Sequence, residues 1–323
     1  MHRTRAIFML ILATAAWGYS FPAGKALLAA LERDLPGREG LMLSALLIGA
    51  RFALAALLMW MVQPRAFGQM RADEWRQGLG LGLFGGLGML FQCDGLNHTT
   101  ASAVAFLTQF SAVLVPVVVA LRLRRLPPLF TIVCVAIVIT GVAILGQFDW
   151  RQLRFGRGEA ETLLSSFFFT AQILCLEVPQ WRGNHSGRVS MVMFGMVALV
   201  LVPVFLAKAA SPADALALLS SGPKLAVFLS LTGICSLFAF LLMNRWQPHV
   251  DATTAGIIYC AEPLFTTAFA LFTPALLAPV LRVEYANEIL TPSLLLGGAL
   301  ITGANILIAL KPPIAVRPDQ AAT

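Results

Sequence analysis

Charge is what this chain has least of. Asp, Glu, Lys and Arg make up 12% of its 323 residues, against roughly 25% in soluble globular proteins. So little charge cannot cover a water-facing surface, and it excludes an ordinary soluble domain. Histidine occurs four times and tyrosine three times. No H-E-x-x-H or G-x-S-x-G stands anywhere, and no nucleophile, base or carboxylate pair presents itself, so an enzyme is not expected. The five cysteines (Cys93, Cys134, Cys175, Cys235, Cys260) include no C-x-x-C and all lie in apolar stretches. They are read as small packing residues, and neither a metal nor a cofactor is expected.

What the chain has in quantity is apolar length. Apolar residues reach 58%, with a mean hydropathy of +0.80. A helix needs roughly 20 such residues to cross about 30 Å of hydrocarbon. Ten stretches qualify: 6–30, 41–63, 76–96, 100–121, 128–147, 160–180, 189–208, 224–246, 252–274 and 292–310. Turn formers separate them, among them Pro36-Gly37, Pro127-Pro128 and Gly222-Pro223. The expected fold is an all-α integral membrane protein of ten transmembrane helices. The opening, with Arg3 and Arg5 before an apolar run, imitates a secretory signal, but the run continues to about Leu31. An uncleaved first helix is the better reading.

With the N-terminus inside, the cytoplasmic segments hold thirteen Lys and Arg and the outer ones eight. This bias places both termini in the cytoplasm, although Arg151, Arg154 and Arg157 run against it. The formal net charge of +7 is assigned to such topology signals and to lipid headgroups, not to nucleic acid. The two halves also echo each other. His98-Thr99-Thr100-Ala101-Ser102 enters span four, and His249-Val250-Asp251-Ala252-Thr253 enters span nine, 151 positions later. A five-span unit reverses sidedness, so a second copy lies inverted, an arrangement that permits alternating access to a midplane site. The expected organisation is a first repeat over 1–147, a connection over 148–159, a second repeat over 160–311 and a cytoplasmic tail over 312–323.

Several motifs carry a resemblance to a known family. Trp17-Gly18-Tyr19-Ser20-Phe21 with Lys25, Arg51-Phe52, and Thr100 to Leu107 through Pro116 stand in the first half. Ala261-Glu262-Pro263-Leu264-Phe265 and Glu288-Ile289-Leu290-Thr291-Pro292, followed by Leu295, Gly297 and Gly303, stand in the second. In this order they resemble the EamA family of the drug/metabolite transporter superfamily over nearly the whole chain. The resemblance implies ten helices in two inverted repeats and movement of small metabolites across a bacterial inner membrane, and it leaves room for a homodimer. Three features depart from the family pattern. Arg122 to Arg125 replaces an expected glutamate, Asn287 replaces a glycine, and Ala275 to Tyr285 looks like an added stretch.

Polar groups at membrane depth are costly, so each requires an account. Glu262 falls about ten residues into span nine, beside Pro263. It can bind a cationic group or a proton, or serve as a structural carboxylate; Ser111 holds the matching place in the first half. Arg51 can attract an anionic group, cap carbonyls or pair with a carboxylate. Lys25 is expected to snorkel to the headgroups. Asp94 and His98, four apart, share a helix face, but two ligands do not make a metal site. Trp17, Phe21, Gln92, Gln109, Gln172, Asn244 and Tyr259 are candidates to line a cavity for amphipathic metabolites, or else pack and bond between helices. The G-x-G-x-x-G at Gly80, Gly82 and Gly85 lacks the strand and acidic residue of a dinucleotide site. Gly78, Gly82 and Gly86 instead suit close helix packing.

The function expected is a secondary transporter that exports small amphipathic metabolites such as amino acids, with proton coupling through Glu262 open. The rivals are a membrane-embedded enzyme and a non-transporting receptor or scaffold.

Overall fold

In the computed structural model, described residues are 2–122, 124, 126, 129–145, 156–176, 178–181, 183–250 and 258–310. Among them helices dominate and no strand occurs. The connection at 148–155, the residues around Asp251 and Ala252, Arg125 and the tail beyond 310 lie outside this set.

The apolar stretches become helices nearly where their length demands. They are α1 (His2–Asp34), α2 (Gly40–Val62), α3 (Ala72–His98), α4 (Ala101–Thr108), α5 (Phe110–Arg122), α6 (Leu129–Leu145), α7 (Arg157–Leu176) and α8 (Ser186–Lys208). Then follow α9 (Gly222–Ser230), a π-helical segment (Leu231–Phe238), α10 (Ala239–Trp246), α11 (Glu262–Ala270), α12 (Thr273–Leu281) and α13 (Pro292–Leu310). Among the described residues six spans are long and apolar enough to cross a membrane, and α11 with α12, bent by 56°, makes a seventh if counted as one. The helices α6 and α13 are apolar but shorter. In α7, Arg157, Glu159 and Glu161 occupy the first turns. The chain is thus a multi-pass, all-helical membrane protein.

One boundary differs from the sequence reading. Span nine does not stop at 274, because Thr273-Pro274 starts α12 and proline suits a first helical turn. Asn287 Oδ1 accepts the Ala275 N–H at 2.8 Å, so two of the departures from the family pattern support each other.

Glycine sets the closest helix contacts. A Cβ on Gly82 would stand 2.6 Å from Met193 O and 2.5 Å from Met196 Cβ, and one on Gly78 would stand 2.5 Å from Val192 Cβ. Gly78, Gly82 and Gly86 therefore form the face of α3 that meets α8. The helices α3 and α7 cross where Gly95 and Gly158 approach each other's carbonyls.

Contacts between the first and second halves come in reciprocal sets. α2 packs on α8, α6 on α13, and α4 on α11. α3 packs on α7 as α1 does on the π segment and α10, and α4–α5 pack on α7 as α1 does on α11–α12.

Ion pairs gather at the two ends of the bundle. At one end Lys208 meets Glu39 at 2.6 Å, Arg38 meets Asp214 at 3.0 Å, Lys224 bonds Asp34, and Arg33 donates to Leu281 O and Arg282 O. At the other end Arg71 donates to Asn184 at 3.0 Å, Arg188 meets Glu74 at 3.5 Å, and Arg5 lies 5.2 Å from the Trp246 ring. Arg157, which runs against the positive-charge bias, is accounted for here: it bonds the buried Asp94 at 2.7 Å.

Candidate transport site

Two interrupted helices meet inside the bundle. The first breaks at Gln109, between α4 and α5. The second turns at Cys260 and Ala261, after which α11 starts with Glu262 and Pro263 in its first turn. Proline is tolerated there because the first amides of a helix have no intrahelical acceptor.

At this junction Gln109 Nε2 donates to Glu262 Oε2 at 3.1 Å. Gln109 is buried and Glu262 is half-buried. From α13, Asn305 Nδ2 donates to Gln109 O at 3.2 Å, while its own Oδ1 is buried without a partner. Hydroxyls continue the polar belt. Gln92 Nε2 donates to Thr108 Oγ1 at 2.9 Å, and Ser111 Oγ donates to Thr108 O at 3.0 Å. Ser166 of α7 reaches Leu107 O at 3.2 Å and Thr108 O at 3.3 Å. These groups satisfy the carbonyls that the break sets free, as the absence of water in hydrocarbon requires. Gly18 allows the close crossing of α1 and α11, since a Cβ there would lie 2.9 Å from Thr266 N.

Of the residues singled out in the sequence, Gln92, Gln109, Ser111 and Glu262 come together here. The others lie elsewhere. Tyr259 donates to Gln247 at 3.0 Å, Asn244 to Ser190 Oγ at 2.5 Å, and Gln172 to Leu81 O at 3.1 Å. Trp17 packs 5.2 Å from Phe240 and 5.9 Å from Tyr259, and Phe21 is buried in the main apolar core. Arg51 is buried and donates to Ser236 Oγ at 3.1 Å and Leu231 O at 3.5 Å. Lys25 does not snorkel outward. Its Nζ turns in to bond Thr99 O and lies 5.9 Å from the Tyr285 ring. A recess of about 270 Å³ opens between α3, α5 and α7, lined by Phe84, Leu114, Phe167, Thr170 and Leu174, none of them foreseen.

Asn305 and Ser166 were also missed, although the rule that picked out Gln92, an amide within an apolar span, applies equally to Asn305. Glu161 was missed as well. Its ligand atom lies within 4.8 Å of those of Asp94 and His98, which gives three metal-ligating groups where the sequence offered two. Arg157 already bonds both carboxylates, each at 2.7 Å, so one guanidinium offsets half of their charge.

Comparison with known proteins bears on this arrangement. Residues 4–147 match the EamA-like transporter family. The chain is thus similar to that family over a little under half of its length. An uncharacterized transporter of Archaeoglobus fulgidus is 24% identical over 289 residues, 84% of this chain and 85% of that protein. A protein solved by crystallography superposes with a TM-score of 0.54 at 15% identity, covering 95% of this chain and 98% of its own, which speaks to the fold alone. Both the matched family and the Archaeoglobus fulgidus relative are described as transporters. The match spans Trp17, Gly18, Lys25, Arg51, Gln92 and Gln109, so one half of the broken-helix junction lies within it.

Proposed function

We propose that this chain is a secondary transporter that works by alternating access. In this reading the halves 1–147 and 160–311 are five-helix copies in opposite orientation, making ten spans. They rock about the junction of α4–α5 with the α11 span, and small amphipathic metabolites such as amino acids leave the cell through it. The observation that carries the reading is the bond from Gln109 to Glu262, where a broken helix of one half meets a broken helix of the other. The reciprocal packing of the halves supports it, as a two-fold relation requires each contact to recur with its partners exchanged. The excess of Lys and Arg beside the N-terminal end supports a bacterial cytoplasmic membrane with both termini inside.

Glu262 is the coupling group of this reading. It has one side-chain partner, the neutral amide of Gln109, and no ion-pair partner among the described residues. The test is flux into proteoliposomes under an imposed pH gradient. Gln at position 262 keeps the shape and loses the proton site, so E262Q is expected to lose gradient-driven accumulation while still equilibrating substrate. Undiminished accumulation by E262Q removes Glu262 from coupling.

A further inference from the structure

The buried guanidinium of Arg51 has more donors than its surroundings use. Arg51 stands near the middle of α2 and is 7% exposed. A guanidinium carries five N–H donors and stays charged in proteins. Among the described residues its acceptors are Ser236 Oγ and Leu231 O, both reached by Nη2. Nε is buried with no partner among those residues. The thiols of Cys93 and Cys235 lie near it, and among the described residues no carboxylate is within ion-pair distance. Lys224 shows the contrast: at 2% exposed it is given Asp34 as a counter-ion.

Two further features lie on the neighbouring helices. Trp17 Nε1 is a second buried donor without a partner among the described residues. Trp17 packs on Phe240, and Phe240 lies 5.9 Å from Phe52, the residue after Arg51. The acceptors of Arg51 also belong to the π-helical segment, a geometry frequent at functional sites. At 3.5 Å the bond to Leu231 O is at the outer limit for a hydrogen bond.

We propose that Arg51 is the receptor for a carboxylate of the transported molecule, held through paired N–H···O bonds, with Trp17, Phe240 and Phe52 against its apolar part. Arginine suits the task because its planar fork matches a carboxylate in two bonds, which a lysine cannot do. This deepens the transport reading and rests on it only in taking the bound molecule to be the one carried.

The test uses the full-length purified chain and its thermal unfolding midpoint. Benzoate, phenylacetate, 3-phenylpropionate and hexanoate are each compared with their own amide. At about ten times Kd, at least one acid is expected to raise the midpoint by about 2 °C or more, with no rise for its amide. R51Q is expected to lose that difference, and S236A, which removes only a competing acceptor, to keep it. The proposal is overturned if every acid matches its amide, or if R51Q keeps the difference. Where R51Q does not fold, R51K decides: a fivefold or greater loss of apparent affinity supports the site, and unchanged affinity overturns it. Acid-specific binding without liposome flux sustains this proposal and removes the transport reading. Flux indifferent to the carboxylate does the reverse.

Discussion

Glu288 acts across the chain on a helix it does not belong to. Its Oε1 accepts the Ala101 N–H at 2.6 Å, and its Oε2 accepts the Ser102 N–H at 3.3 Å. These are first-turn amides of α4, which lack intrahelical acceptors, and the helix dipole favours a negative charge there. E288A is therefore expected to cost about 1–2 kcal/mol, seen as a lower unfolding midpoint, with E288Q recovering part of the loss. The sequence marked Glu288 as part of a motif but gave no sign of this role, because its partner is 187 positions away. Glu262 has the same history. A carboxylate within an apolar run is conspicuous in a linear reading, but its bond to Gln109 spans 153 positions and follows only from how the helices pack.

At the scale of elements, the stripe of glycine on α3 decides how near α8 can come. In G82A the new methyl meets the Met193 carbonyl and Met196 Cβ, neither a flexible side-chain end, so the helices must part. A loss of about 1–3 kcal/mol is expected. Gly195 on α8 has open space around its missing side chain, and G195A is expected to be neutral or to stabilise by up to about 1 kcal/mol. Thermal melts of the two variants side by side check the pair. Most of the spans were legible beforehand because the thickness of hydrocarbon fixes helix length, and the apolar runs have that length. The interruptions at Gln109 and at Leu271–Phe272 were not, since composition does not change there. What breaks the helix at the second place is the new start at Thr273-Pro274, and proline reads in a sequence equally as an end or a beginning.

For the whole molecule, the two clusters of ion pairs join the halves at opposite ends. Arg38 and Asp214 meet at one end, Arg71 and Asn184 at the other. If the halves rock, each end must open in its turn. Bridging R38C/D214C alone, or R71C/N184C alone, with a short reducible bis-methanethiosulfonate linker is expected to stop flux, and reduction to restore it. Full flux with either pair bridged contradicts rocking.

The partners of α1 carry a consequence for biogenesis. This first helix packs more on the π segment, α10, α11 and α12 than on α2, α3 and α4. During synthesis it therefore enters the bilayer long before its neighbours exist, and it waits among lipids with Lys25 lacking the Tyr285 ring that will cover it. A ribosome halted near the middle of the message leaves a fragment whose leading helix has nowhere to dock, a ready mark for membrane proteases.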